Sequence, residues 1–166
     1  MSAPASTPSS AYERVAVGDV YQFGSHTFSA EEIKRFAKAF DPQTFHLDEE
    51  AAAKSQFGKL AASGWHTTAV MMKLRVAYLT REMEKAAARG EPALRFGPSP
   101  GFDDLKWILP VHAGDTLAFT DAIVAKRHSK SRPGWGIVSM MTTAVNQRGE
   151  TVFSVTGHVF AATGEG

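Results

Sequence analysis

Cysteine is absent from the 166-residue chain, which excludes disulfide scaffolds, thiolate metal sites and cysteine nucleophiles. An excess of either charge is absent as well. The 18 Lys+Arg stand against 17 Asp+Glu, a formal net charge of +1, so the basic footprint of a nucleic-acid binder is missing. No apolar run approaches the roughly 18 residues that read as a membrane span. The first eleven residues, MSAPASTPSSA, offer neither the positive n-region nor the apolar h-region of a secretory signal. GxGxxG, P-loop and Gly-x-Ser-x-Gly patterns are missing. So are His-x-x-x-His and Asp/Asn-rich loops, so neither a metal nor a cofactor is expected. A cytoplasmic, single-domain protein with 43% hydrophobic residues is the expectation, long enough for one sizeable core.

What is present divides into a short tail and two unlike halves. Residues 1–11 are Ser/Pro/Ala-rich and read as a disordered tail, leaving 12–166 as one domain. The first half reads as helical after an early strand over 20–29. Ser29 and Glu32 form a capping box, Ile33, Phe36, Ala37 and Phe40 recur at helical spacing, and Pro42 stops that helix. Asp48 caps a second, short helix reaching Ser55. A long helix spans 63–88, with Trp65, Ala69, Met72, Val76 and Leu79 on one stripe and Val70, Leu74 and Ala77 beside it. Gly90 and Pro92 end it. The second half reads as strands over 105–108, 115–126, 137–146 and 151–162, and the run at 146–149 is a hairpin signal. Strands following a helical block predict an α+β fold with an antiparallel sheet packed on the long helix.

Two segments carry residues suited to chemistry. In Phe-Asp-Pro-Gln-Thr-Phe-His at 40–46, Asp41 leaves a helix end and His46 follows a short loop, an arrangement that brings a carboxylate and an imidazole toward one point for water activation. The alternative is that Asp41 merely ends the helix and His46 is a solvated loop residue. In Ser63-Gly64-Trp65-His66, free N–H groups and the positive dipole end of the long helix suit an oxyanion, and Gly64 admits a close ligand. The alternative there is an N-cap serine and a packing glycine. His66 reads as a satisfied helix histidine. Lys126, Arg127, Lys130 and Arg132 form a basic run suited to phosphates, or to a solvated loop.

The Asp41-to-His46 spacing, the Ser63-Gly64 entry to the long helix and the later run Leu-Lys-Trp-Ile-Leu-Pro-Val-His-Ala-Gly-Asp-Thr-Leu at 105–117 together resemble the MaoC-like dehydratase family, whose best-known members are (R)-specific enoyl-CoA hydratases. The resemblance covers the chain from about residue 17 to 162. It implies a hotdog fold, an antiparallel sheet wrapped around the helix at 63–88, and at least a homodimer binding acyl-CoA or an acyl-carrier-protein thioester near the subunit boundary. It implies Asp41 as the general base on water, His46 as the group that orients the water and shuttles its proton, and an enolate held by a backbone N–H near Gly64. Ser63, Gly64, Trp65 and Gln43 become the oxyanion and substrate-binding candidates, and the basic run becomes a candidate for CoA phosphates. The reaction implied is syn hydration of a trans-2-enoyl thioester to a (3R)-hydroxyacyl thioester, a step of fatty acid metabolism. The chain departs from the family pattern at Gln43-Thr44, where active hydratases usually have Asn-Pro, and at Ser63, where they usually have His. A hotdog thioesterase and a non-catalytic thioester-binding subunit are the competing readings. The first wants a carboxylate from the long helix or its neighbour, and none stands between Ser63 and Arg81 on that helix.

Overall fold

The computed structural model describes residues 10–164. Within them the elements run α1 (Ala11–Arg14), β1 (Val20–Thr27), α2 (Ala30–Phe40), α3 (Thr44–Leu47), α4 (Glu49–Ala53), α5 (Gly64–Ala88), β2 (Gly101–Trp107), β3 (Thr116–His128), β4 (Trp135–Asn146) and β5 (Thr151–Ala162). The five strands form one sheet in the order β1-β3-β4-β5-β2, and every pairing is antiparallel. After β1 the chain leaves the sheet for all four remaining helices and returns at the opposite edge as β2. This long excursion carries α5 across one face of the sheet, the hotdog arrangement implied by the motifs. No helix among the described residues is long and apolar enough to cross a membrane.

Local chemistry sets the helix starts. Ser29 accepts from the Glu32 N–H at 3.2 Å, Asp48 from the Ala51 N–H at 2.8 Å, and Ser63 from the Trp65 N–H at 3.3 Å. Each bond satisfies a donor that the first turn leaves unpaired. The capping box at α2 is only half formed, because the Glu32 carboxylate turns toward His26 instead of the Ser29 backbone.

The layer between helix and sheet is filled by Phe23, Leu117, Phe119, Phe153 and Val155 of the strands and by Val70 and Met71 of α5, with Phe28 and, from α2, Ile33 in the same cluster. Of the two apolar stripes of α5, the one through Trp65, Met72 and Val76 does not face the sheet. Trp65 is 51%, Met72 49% and Val76 53% exposed, and the buried face is His66, Thr67, Val70 and Met71, flanked by Leu74 and Tyr78. A helix with two adjacent apolar stripes turns one of them outward when the sheet covers only one flank. Arg75 crosses the same layer. Its guanidinium binds Asp121 at 2.9 and 2.6 Å, lies over Phe23, and also meets Thr142, which donates to Asp121.

At the far end of the sheet a second cluster joins Tyr12 to Ile123, Val138 and Ala161. Ser10 caps α1 and Ala11 begins it, so these two residues correct the expected tail over 1–11; residues 1–9 lie outside the described residues. Lys126 fastens this turn by donating to the carbonyls of Tyr12, Glu13 and Val15 at 3.1, 3.4 and 2.8 Å.

Candidate functional site

Asp41 is the C-cap of α2, its N–H bonded to the Ala37 carbonyl at 2.9 Å. Pro42 prevents the helix from continuing, and two residues later the chain makes the single turn α3. That turn corrects the alternative of a solvated loop: His46 lies within it and is only 5% exposed. Phe45 and Phe57 pack around the imidazole. Its Nδ1 sits 2.6 Å from the Ala61 carbonyl oxygen. A carbonyl can only accept, so Nδ1 carries the hydrogen and, in the neutral ring, Nε2 presents a lone pair. Nε2 stands 3.5 Å from Asp41 Oδ2. Two acceptors thus face the same small space, an arrangement that a water molecule with two hydrogens can satisfy.

Both oxygens of Asp41 are held. Gln43 Nε2 donates to Oδ1 at 2.8 Å and Ser63 Oγ donates to Oδ2 at 2.7 Å. Partial burial pushes the Asp41 carboxyl up, but the Ser63 and Gln43 hydrogen bonds and the neighbouring His46 outweigh this, leaving it below the ordinary range. Asp41 is therefore ionised at neutral pH and able to accept a proton. Ser63 does two things at once, capping α5 through its lone pair, as the N-cap alternative has it, and binding Asp41 through its hydrogen, a contact not expected from the sequence.

Gly64 opens α5 beside this pair. The space next to its Cα is taken by Trp107 of β2: a Cβ there would lie 2.3 Å from the indole. The close approach that glycine permits is thus made on that side by a side chain of the same subunit, in agreement with the packing alternative. Trp65 projects outward, half exposed, and meets Trp107 edge to face at 5.1 Å.

The structure brings Asp41, Gln43, His46, Ser63 and Gly64 together. It does not bring the basic run to them within one chain. β3 starts next to Phe28, where Gly114 N–H meets the Phe28 carbonyl at 2.7 Å, and runs 13 residues away from α2, some 40 Å of extended chain. Lys126 is committed to the N-terminal turn, and the Arg132 guanidinium lies over the Phe160 ring at 4.9 Å. A further correction concerns His66. Its Nδ1 is buried without a hydrogen-bond partner, so it is not a satisfied helix histidine. Nor did the sequence reading find the Ala61 carbonyl, Trp107 or Glu32. A backbone carbonyl has no residue signature, while Trp107 was visible as a strand residue within the run at 105–117 and Glu32 as a capping residue.

Comparison with known proteins gives consistent results. Residues 14–146 match the model of the MaoC like domain. A protein of Bacillus subtilis (strain 168), the uncharacterized protein YdeM, is 30% identical over 141 residues, 85% of this chain and 91% of its own. Among solved structures, the MaoC-like dehydratase from Rhodospirillum rubrum is 40% identical with a TM-score of 0.77, covering 92% of this chain and 97% of that one. The R-hydratase PhaJ1 from Pseudomonas aeruginosa shares the fold at 23% identity and a TM-score of 0.59, covering 94% of this chain and 88% of that one.

Proposed function

Because the chain belongs to the MaoC-like domain family, we propose that it is an acyl-thioester hydro-lyase, an (R)-specific enoyl-CoA hydratase or acyl dehydratase that uses Asp41 and His46. The observation that carries this reading is the convergence of Asp41 Oδ2 and His46 Nε2, 3.5 Å apart, with the hydrogen of His46 fixed on the other nitrogen by the Ala61 carbonyl. A water molecule donating to both acceptors keeps a lone pair for attack.

In the forward direction Asp41 removes one proton from this water as its oxygen bonds to C3 of a trans-2-enoyl thioester. The π electrons move to the thioester oxygen, and an N–H at the Gly64 end of α5 stabilises the resulting enolate. The proton returns from the pair to C2 on the same face, which gives a (3R)-hydroxyacyl thioester with atoms and charge balanced. Gln43 and Ser63 hold the carboxylate throughout. Hydrolysis is the weaker reading, since α5 carries no Asp or Glu from Gly64 to Arg81.

The same reading includes a homodimer. Support comes from the outward stripe of α5, with Trp65, Met72, Val76 and Met83 exposed, and from Trp107, Ile108 and Leu109 exposed at the end of edge strand β2. An apolar surface and an unpaired edge of this kind favour a second subunit.

The deciding experiment follows the loss of enoyl-thioester absorbance when pure protein meets crotonyl-CoA or a longer 2-enoyl-CoA. The wild type should remove the absorbance, and Asp41→Asn should do so roughly 100- to 10,000-fold more slowly. Equal rates for the two proteins would overturn the assignment of Asp41. Silence with both substrates would overturn the hydratase reading for CoA thioesters of that kind.

A further inference from the structure

His66 is in the first turn of α5, three residues after its N-cap, and takes no part in the chemistry proposed above. Its ring is nevertheless buried among aromatic and acidic neighbours. It stacks on Phe36 with centroids 4.6 Å apart and planes 7° from parallel, and meets Phe28 edge to face at 5.1 Å. Its Nε2 lies 3.6 Å from Glu32 Oε1. Phe36 and Glu32 are one turn apart on α2, the helix that ends at Asp41, and together they form a slot for this ring.

The slot decides where the hydrogen of His66 resides. At 3.6 Å the pair is too long for a direct hydrogen bond, but the negative charge of the Glu32 carboxylate favours a hydrogen on the nitrogen that faces it and leaves the lone pair on Nδ1. This accounts for the buried Nδ1 without a partner, because an unmatched acceptor is the more tolerable of the two possibilities. Glu32 is itself fixed, by His26 Nε2 at 2.5 Å and by Ser29. The charged and titratable groups acting on the ring are Glu32 and Arg35 of α2 and His26 of β1. Burial, with His26 and Arg35 adding to it and Glu32 opposing, holds His66 down to about 4, so the ring is neutral at neutral pH.

We infer that Glu32 holds His66 in the Nε2–H tautomer and that the two together are positioning residues, setting the first turn of α5, with its Gly64 N–H and Ser63 hydroxyl, against Asp41. The inference rests on the hydratase reading for its kinetic consequence, though not for the tautomer. Without the His66 wedge, the Ser63–Asp41 bond still joins α2 and α5, but the first turn of α5 loses its contacts with Phe36 and Glu32. A shift of the turn then moves the oxyanion donor and the base relative to each other, which lowers turnover while leaving thioester affinity largely intact.

The test combines kinetics with nuclear magnetic resonance of the imidazole nitrogens in the full-length protein. His66→Phe keeps the stack and removes the N–H. Its kcat on an enoyl-CoA should fall roughly ten- to a hundredfold with KM within about twofold. Glu32→Leu should behave in the same way, and Glu32→Gln, which retains an acceptor, should recover most of the loss. Wild-type His66 should show only the Nε2–H tautomer at pH 7, and Glu32→Leu a mixture. An unchanged kcat in His66→Phe would show that packing alone matters and overturn the inference, as would an Nδ1–H or protonated ring in the wild type. If the wild type hydrates nothing, the hydratase reading fails separately. The resonance data then decide whether Glu32 governs His66 at all.

Discussion

Ser63 gives its hydroxyl hydrogen to Asp41 Oδ2 at 2.7 Å across 22 residues of sequence, while its lone pair caps the long helix. One side chain therefore links the Asp41 carboxylate to the start of the long helix. Ser63→Ala removes an interaction that holds the Asp41 carboxyl down, so its pKa rises and the acid limb of the kcat/KM profile should move to higher pH. The variant also loses an N-cap, which costs about 1 kcal/mol of stability. A profile that stays in place while the protein loses stability would confine Ser63 to capping.

Gly64→Ala should destabilise the protein by about 1–3 kcal/mol, the range for forcing an extra carbon into a packed site. The new methyl would meet the Trp107 indole at 2.3 Å and push it off the helix. Thermal unfolding and tryptophan fluorescence should both change. Trp107→Ala added to Gly64→Ala should recover part of the loss, and failure to recover any would place the strain elsewhere.

Arg75 and Asp121 are a bidentate pair in the helix–sheet layer, with side chains 12% and 9% exposed. Asp121→Leu alone strands a buried guanidinium and should cost about 3–5 kcal/mol in denaturant unfolding. Arg75→Met combined with Asp121→Leu should cost less than either single change, because the double variant leaves no buried charge unpaired. A double variant that loses the sum of the two would contradict this.

Acid should weaken the fold through His66. Its folded-state pKa of about 4 is depressed below the roughly 6.5 of an unfolded histidine. Between these values the unfolded chain binds the extra proton, so stability falls as pH drops from about 6.5 to 4. Urea midpoints across that range should decline for the wild type and decline less for His66→Phe. Equal slopes would remove His66 as a cause.

The outward stripe of α5 makes the homodimer testable by one charge. Light scattering at micromolar concentration should give a dimer for the wild type and a monomer for Val76→Glu. A monomeric wild type would refute the assembly, and a dimeric variant would move the interface off this stripe.

What the sequence made legible was local or motif-like. Ser29, Asp48 and Ser63 declare helix starts because a hydroxyl or carboxylate acts within three residues of itself. Asp41 and His46 are legible through their spacing on either side of Pro42. The orientation of α5 was not, since the Trp65–Met72–Val76 and Val70–Leu74 stripes are similarly apolar and the choice between them is made by strands on both sides of it in sequence. Glu32 was read as a partner for Ser29, three residues away, and its carboxylate also faces His26 and His66, which are distant in sequence. Lys126 looked like a phosphate ligand because a basic run carries no mark of the carbonyls its ammonium will meet.

The fastening of the amino-terminal turn has a consequence for the order of folding. Tyr12 and Lys126 are 114 residues apart, and the other residues that enclose Tyr12 (Ile123, Val138 and Ala161) are more distant still or nearly as distant. During synthesis α1 is made before β3, β4 and β5 and has nothing to dock on until those strands have followed. Its docking is among the contacts of longest sequence separation in the chain, the kind that slows folding. A turn that precedes these strands in the sequence is in this respect among the last elements to find its place.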